Sequence, residues 1–401
     1  MANVSSSNGL EKRPKLRFPG FDEPYKQCHI GDIYAERSQR GASDMVLLSV
    51  TMNDGVIPRS EIEGKDNSSA DKSNYKVVLM GDMVYNSMRM WQGANGISPY
   101  DGIVSPAYTV LMPKIPISNG YFAALFKSPN LINEFRKNSQ GMTSDTWNLK
   151  YPQIETIKVH IPPLSEQNRV ADMLGTLERR IAKQAQLVEN LKKYKRGVVR
   201  TLLTPYSCCI ADATWTTAKI GDLGSFTKGA PLSKADIAPD GTPFILYGEL
   251  YTTYHEVINA VIRRTKAQPE KQYYSRVGDV VIPTSGETPE EISTAACVML
   301  PDIILAGDLN IFRSSKIDGR IMSYILNHIV NGQIARIAQG KSVVHIQASE
   351  LSKIEISYPD YNTQRKMFKI FDALNTRTEI AQKKLMALRC MQKALLQQLF
   401  M

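Results

Sequence analysis

Cysteines and long hydrophobic runs are both scarce in this sequence. The 401 residues include five cysteines, and neither the isolated ones nor the adjacent pair Cys208-Cys209 has the spacing of a disulfide framework or a zinc site. No segment approaches the roughly 18 consecutive apolar residues that a membrane helix needs. The N-terminal segment up to Pro14 lacks the apolar core of a secretory signal. We therefore predict a soluble protein of a reducing cytoplasm.

Motifs of catalysis and cofactor binding are also missing. Gly340-Lys341-Ser342 resembles the end of a phosphate-binding loop, but Ala335 stands where such a loop needs its earlier glycine. No glycine-rich turn follows a predicted strand, as a nucleotide or S-adenosylmethionine site would require. The histidines never occur at metal-ligand spacing. We expect no catalytic residues, no bound metal and no cofactor in this chain.

The positive charge is concentrated in two segments. The formal net charge is +10; residues 165–204 carry nine basic and four acidic side chains, and residues 362–401 carry eight and two. These segments hold +5 and +6, which leaves −1 for the rest of the chain. A basic surface attracts polyanions, although a solvated lysine-rich helix face has the same composition.

Elements of the first half return in the second half in the same order. Ile30-Gly31-Asp32 returns as Ile220-Gly221-Asp222, and Gly81-Asp82 returns as Gly278-Asp279. Gln167 matches Gln364 at the same offset as the Gly-Asp pair. The repeat predicts two strand-rich regions, each followed by a long helix.

Short alternating or apolar runs predict the strands of both halves. These runs cover residues 75–80, 82–85, 107–112, 244–247, 279–282 and 309–313. Shorter helices are predicted over residues 120–138 and 319–338. Prolines close both strand-rich regions because they resist helix formation, and Ser165 and Asn362 then stand where helix N-caps belong.

Two segments carry a hydrophobic repeat of 3.5 residues, which is typical of a coiled-coil seam. Eight of the ten seam positions are apolar in each segment. The first seam consists of Val170, Leu174, Leu177, Ile181, Gln184, Val188, Leu191, Lys195, Val198 and Leu202. The second seam consists of Met367, Phe371, Leu374, Thr378, Ala381, Leu385, Leu388, Gln392, Leu395 and Leu399. The alternative is two independent amphipathic helices, each packed on its own core.

The repeat and the seams together predict an α+β protein. Two strand-rich domains would be held at opposite ends of an intramolecular antiparallel coiled coil of two long helices, with a pseudo-two-fold internal repeat. The predicted boundaries are residues 1–163 for the first domain, 164–206 for the first helix, 207–360 for the second domain and 361–401 for the second helix.

The candidate DNA-binding residues lie in polar and aromatic loops, one pair of loops just after matched strands and a second pair before the closing strand of each half. Arginine can read guanine, asparagine and glutamine can read adenine, and an aromatic ring can stack, whereas a carboxylate can accept a hydrogen bond from cytosine. The candidates of the first half are Asn86, Ser87, Arg89, Trp91, Gln92, Thr143 and Ser144. Those of the second half are Thr284, Ser285, Glu287, Lys341, Ser342 and His345. The alternative is that these loops are ordinary turns whose tryptophans belong to the core.

The sequence resembles the specificity subunit of type I restriction–modification enzymes. The resemblance covers nearly the whole chain and rests on the duplicated layout together with several motifs. The motifs are Leu16-Arg-Phe-Pro-Gly-Phe21, Met90-Trp-Gln-Gly-Ala94, Gly102-Ile-Val-Ser-Pro-Ala-Tyr108 and Ile161-Pro-Pro-Leu-Ser-Glu-Gln167. The second copy of the last motif, Tyr358-Pro-Asp-Tyr-Asn-Thr-Gln364, departs from the family pattern.

The resemblance implies a non-catalytic subunit that recognises a split site in double-stranded DNA. Each strand-rich domain would be a target-recognition domain for one half of the site, and the helices would set the gap between the halves. Two methyltransferase subunits carrying S-adenosylmethionine and restriction subunits using ATP and Mg²⁺ would be its partners. The basic residues expected to dock these subunits are Lys192, Lys193, Arg196, Lys383, Lys384 and Arg389.

Two other classes of function stay open on the sequence alone. The chain could be a coiled-coil scaffold or interaction protein without sequence-specific DNA binding. It could also be a nuclease, because Glu63-Gly64-Lys65 fits half of a nuclease site. Sequence preference in DNA binding and copurification with an adenine methyltransferase would exclude the first, and absence of metal-dependent cleavage would exclude the second.

Overall fold

A computed structural model describes residues 13–40, 44–52, 54–66, 68–338, 340 and 344–400. The chain divides into two compact units of mixed α and β structure. Unit 1 runs up to Gln186 and resumes at Lys383, and unit 2 is Leu187–Gln382. Each unit contains part of both long helices, which are Leu164–Leu202 and Tyr361–Leu399.

Unit 1 is built on an antiparallel sheet of four strands and three strand pairs. The sheet order is Tyr34–Glu36, Tyr108–Pro113, Met83–Asn86 and Asn95–Ile97. The pairs are Lys26–His29 with Lys158–Ile161, Leu48–Thr51 with Gly55–Pro58, and Lys76–Val78 with Gly102–Val104. The helical segments are Ile30–Ile33, Arg59–Glu61, Met90–Gln92, Asn119–Leu125, Pro129–Asn138 and Tyr151–Ile154.

Unit 2 has a five-stranded sheet in which four strands follow the same antiparallel order. The order is Gly224–Lys228, Leu309–Ser314, Asp279–Pro283, Ala296–Val298 and Val257–Ile258. The other sheets are Arg263–Thr265, Thr242–Leu246 and Ile304–Ala306, the pair Trp215–Lys219 with Glu355–Pro359, and the pair Ser285–Gly286 with Val344–His345. The helical segments are Ile220–Leu223, Lys234–Asp236, Glu249–Thr252, Lys271–Tyr273, Pro289–Ile292, Gly319–His328, Asn331–Ile337 and Ala348–Lys353.

All six strands predicted from the sequence are present, with ends that differ by at most two residues. The two shorter helices were predicted as single elements, and this was wrong in both units. In unit 1 the helix is interrupted before Pro129, which has no N–H for an interior turn, and the Ser128 hydroxyl caps the new helix at the Leu131 N–H. In unit 2 the helix closes in a wide turn, in which the N–H groups of Ile329 and Val330 both bond to one carbonyl.

The predicted N-caps of the long helices are also corrected. The carboxylate of Asp360 accepts hydrogen bonds from the backbone of Asn362 and Thr363 at 3.0 and 3.1 Å, so Asp360 is the cap and Asn362 lies in the first turn. The first long helix begins at Leu164, one residue before Ser165. Aspartate directly after the proline was the cap signal in the second copy.

Every seam residue of both long helices is buried or half-buried. In unit 1 the start of the first helix, at Val170 and Leu174, shares a core with Leu399 from the end of the second helix. In unit 2 the end of the first helix, at Leu202, shares a core with Phe371 from the start of the second helix. The hydrophobic repeat therefore faces the interior of each unit.

A glutamine in the first turns of each long helix joins that helix to its strand-rich region. Gln167 accepts a hydrogen bond from the Ser118 N–H (3.1 Å) and donates to the carbonyl of the proline five positions earlier (3.0 Å). Gln364 accepts from the Asp318 N–H (2.9 Å) and donates to the equivalent proline (2.7 Å). Both glutamines are buried, so the sequence match at these positions reflects a matched contact.

Candidate nucleic-acid interface

The candidate loop of unit 1 leaves a strand whose other end is locked by an ion pair. Asp82 stands just before the strand Met83–Asn86, and its carboxylate accepts from the guanidinium of Arg37 at 2.7 and 3.1 Å and from the Leu79 N–H at 2.8 Å. A bidentate, largely buried pair of this kind fixes direction as well as distance. The loop after Asn86 is therefore carried by a rigid strand.

Unit 2 has a matching lock on the corresponding strand. The carboxylate of Asp279 accepts from Arg313 at 3.0 Å through both oxygens and from the Arg276 N–H at 2.9 Å. The strand Asp279–Pro283 then leads to the candidate residue Thr284. The candidate loops of the two units thus begin at equivalent places on equivalent strands.

Two candidates of unit 1 hold the loop in shape. The Asn86 side-chain oxygen accepts from the Met88 N–H at 3.0 Å, which closes a tight turn. The Ser87 hydroxyl is buried and lies 2.8 Å from the Thr109 hydroxyl. The Ser87 hydroxyl and the Asn86 side-chain oxygen are thus bonded within the protein, and their geometry suits shaping the loop.

The two tryptophans join the two predicted loops of unit 1. The rings of Trp91 and Trp147 meet edge to face with centroids 5.2 Å apart, and the Arg136 guanidinium lies 5.5 Å from the Trp147 ring. The Trp91 N–H donates to the Met88 carbonyl at 3.1 Å. Both residues are half-buried, so they do not belong to the main core and each is partly exposed at the surface.

Arg89 is the exposed basic side chain of this loop. Its guanidinium makes a long contact with Gln92, with Nη1 and Oε1 3.4 Å apart. Thr143 and Ser144 are exposed in the neighbouring loop, where Thr143 pairs with Thr146 across a turn. The two candidate loops of unit 1 therefore meet through Trp91 and Trp147, and Arg89 supplies an exposed guanidinium in the first of them.

The candidates of unit 2 are gathered by a short strand pair. Ser285 lies opposite His345 where the strand Ser285–Gly286 runs antiparallel to Val344–His345. The buried Ser285 hydroxyl donates to the Asp308 carboxylate at 2.7 Å. His345 is exposed and Thr284 is half-buried. Lys341 and Ser342 lie outside the described residues.

Beside this strand pair lies an open groove of about 850 Å³ that contains the candidate Glu287. Its walls carry Glu291, Tyr251 and Lys234, none of which was predicted. A signal for Tyr251 was present in the sequence, because a polar and aromatic segment directly after the predicted strand 244–247 contains it; the structure forms this segment into the short helix Glu249–Thr252. Burial and the charge of Glu291 raise the pKa of Tyr251 above its ordinary value.

Within each unit, a buried carboxylate joins the strand-rich region to the first long helix. In unit 1, Glu166 of the first helix accepts both prongs of Arg17 at 2.9 and 2.8 Å and the Tyr25 hydroxyl at 3.2 Å. In unit 2, Glu256 accepts from the ammonium of Lys195 at 2.9 and 3.0 Å and lies 2.7 Å from His328 Nε2. Burial opposes the charge of Glu256, yet the bond from His328 and the charge of Lys195 lower its pKa to about 2.

Within the described residues no cluster of three or more histidine, cysteine, aspartate or glutamate side chains could hold a metal ion. None of the helices in the described ranges is long and apolar enough to cross a membrane.

A family model described as the type I restriction modification DNA specificity domain matches this chain twice, over residues 39–193 and 213–389. These two matches together cover most of the chain. The chain belongs to this family. The resemblance inferred from the sequence is thereby confirmed, and so is DNA target recognition as its function.

Two curated relatives named as type I restriction enzyme specificity subunits match over most of their length. The chain is 22% identical over 397 residues to the MjaVIII type I restriction enzyme specificity subunit of Methanocaldococcus jannaschii, covering 92% of this chain and 89% of that protein. It is 21% identical over 414 residues to the putative MjaX specificity subunit of the same organism, covering 90% and 92%.

Two solved structures share the fold. One is the specificity subunit of the type I restriction–modification system of M. genitalium, with a TM-score of 0.59, 14% identity, and coverage of 97% of this chain and 99% of that one. The other comes from a structure describing complex assembly and conformational transition of the type I system, with a TM-score of 0.60, 15% identity and coverage of 94% and 97%.

Membership of the specificity-domain family explains the missing catalytic motifs. A specificity subunit recognises DNA and leaves methylation and cleavage to other subunits, so this chain is not an enzyme. The family implies DNA, methyltransferase and restriction subunits as partners. The six basic residues predicted to dock those subunits are all exposed; Lys192 pairs with Glu189 one turn earlier at 2.9 Å, a contact of little strength at a solvated surface.

Proposed function

We propose that unit 1 and unit 2 each read one half of a split DNA site. The observation that carries this proposal is that equivalent strands of the two units lead into unlike loops. The strand after Asp82 leads to the exposed guanidinium of Arg89, and the strand after Asp279 leads to the exposed carboxylate of Glu287. A donor and an acceptor at equivalent places would select different bases.

The chemistry of the two loops predicts a different preference for each half-site. A guanidinium presents two parallel donors that match the acceptors of guanine in the major groove. A carboxylate can accept from the amino group of cytosine but repels phosphates. We therefore propose that unit 1 prefers guanine at one position and that unit 2 prefers a base with an exposed amino group.

The long helices would form the intramolecular antiparallel coiled coil and act as a ruler between the half-sites. Their 39 residues each correspond to roughly 58 Å of helix. Two methyltransferase subunits that bind S-adenosylmethionine would dock on their exposed basic residues, and restriction subunits using ATP and Mg²⁺ would join that core. No cofactor is assigned to this chain itself.

Sequencing of adenine methylation in the genome of a host that expresses the complex tests the reader proposal. We expect a two-part motif with a fixed gap that disappears when this chain is deleted. DNA binding by the purified complex should prefer that motif over random DNA. Equal affinity for both would contradict the proposal and favour a scaffold function.

Shortening the helices tests the ruler. Four residues correspond to about 6 Å of helix and to a rotation of about 40°, close to the twist of one base pair. Removing four residues from the segment 184–191 and the facing block of the second helix should shift methylation to a gap one or two base pairs shorter. Full activity at the original gap alone would contradict the ruler.

A further inference from the structure

The second recognition domain, residues 207–360, meets the long helices through a buried charged cluster. Glu256 is 8% exposed and stands just before the strand Val257–Ile258. Its carboxylate binds Lys195 of the first long helix and His328 of the same domain. Its backbone carbonyl accepts from Cys297 (2.9 Å) and Ser323 (2.7 Å), which fixes it to the sheet and to a helix.

The cluster also includes the second long helix. Tyr324 stacks on His328 with centroids 5.9 Å apart, and Lys195 lies 5.7 Å from its ring. The Tyr324 hydroxyl accepts from the Asn375 side chain at 2.6 Å, and its ring packs on Phe371 at 4.6 Å. Polar contacts thus tie one face of the domain to both long helices.

We propose that Glu256 is a positioning residue that holds the second recognition domain at one rotation on the helices. Apolar packing has no direction, so the hydrophobic contacts alone would tolerate a small rotation. A rotation that separated Glu256 from Lys195 would leave the ammonium of Lys195 without its carboxylate in a largely buried site and Glu256 with His328 as its remaining side-chain partner, which is unfavourable. The cluster would therefore define the rotational position, around the DNA axis, at which the second half-site is read.

The inference rests on the proposed function and predicts an effect on spacing. Lengthening or shortening the gap by one base pair rotates the second half-site by about 34–36° around the DNA axis. A domain that is free to rotate would therefore accept half-sites at these neighbouring gaps. Changing Glu256→Gln should relax the preference for the native gap over gaps one base pair shorter or longer. We expect that preference to fall by roughly tenfold, which corresponds to about 1.4 kcal/mol.

The matched control is Glu249→Gln. Glu249 is a similarly buried carboxylate in the same domain and binds Arg263 at 3.0 Å, but neither partner belongs to a long helix. The full chain would be assembled with its methyltransferase subunits, and methylation would be measured on DNA with the native gap and with both neighbouring gaps. Thermal unfolding of each variant reports stability separately.

A double variant, Lys195→Met with Glu256→Leu, separates orientation from stability. Apolar replacement of both partners removes the unpaired charge, so the protein should stay folded. Relaxed spacing in this variant and in Glu256→Gln, with unchanged spacing in Glu249→Gln, supports the inference. Unchanged spacing in both Glu256 variants, beside a selective wild-type complex, overturns the inference and leaves the two-reader proposal standing. A wild-type complex without any site preference overturns both.

Discussion

In both units a buried ion pair joins the strand-rich region to the first long helix, but the carboxylate comes from the helix in unit 1 and from the strand-rich region in unit 2. In unit 1 the carboxylate of Glu166 belongs to the helix, and its cation, Arg17, comes from the N-terminal segment. In unit 2 the helix supplies the cation Lys195, and the strand-rich region supplies the carboxylate Glu256. Electrostatic attachment is therefore common to both units, while the residues that make it are particular to each.

Other contacts are the same in both units. A Cβ on Gly31 would lie 2.9 Å from Glu155 Cβ, and one on Gly221 would lie 2.9 Å from Ser352 Cβ, so both positions require glycine for close packing. The Asp82 and Asp279 locks and the two buried glutamines repeat in the same way. The shared residues build the scaffold, whereas the loops and the attachment points differ, as expected for two readers of unlike half-sites.

The largest expected effect is on the attachment of unit 1. Arg17→Ala leaves the carboxylate of Glu166 buried without its cation, which should lower the free energy of unfolding by about 3–5 kcal/mol. Lys195→Ala should cost less because His328 still faces Glu256. Thermal and urea unfolding would measure both. Lys137→Ala, which removes an exposed pair, serves as the control, and a loss for Arg17→Ala no larger than the control would contradict this account.

The attachment of unit 2 should be sensitive to acid. The pKa of Glu256 is lowered from 4.5 to about 2 in the folded protein. The ionised Glu256 carboxylate therefore adds to the free energy of unfolding above pH 4.5, and this contribution is lost as the pH falls toward 2. The stability difference between wild type and Glu256→Gln should be about 3 kcal/mol at neutral pH and should shrink over that range. A difference that stays constant down to pH 2 would show that the Glu256 charge does not carry the attachment.

A smaller effect is expected from the exposed loop of unit 1. Arg89→Ala should weaken binding to the cognate site by about 1–3 kcal/mol and relax specificity at one position. Affinity for cognate and random DNA would be measured at one salt concentration. Equal weakening of both would make Arg89 a phosphate contact.

The sequence was sufficient for the strands, the long helices and their inward seams, because these depend on periodicities of two and 3.5 residues. It did not reveal the Glu256 cluster, since Lys195 and His328 are far apart in the chain and meet only through folding. It also gave Ser87 and Ser285 as candidate contacts, although both hydroxyls are buried against protein partners. Exposure is set by tertiary packing, which local pattern does not encode.

Exchange of the second recognition domain tests the central claim most directly. Residues 207–360 would be replaced by the corresponding domain of another family member that retains a carboxylate for Lys195, and adenine methylation would be sequenced across the genome. Two independent readers predict a new motif in which one half is unchanged and the other half is that of the donor. A motif changed in both halves, or in neither, would contradict the account.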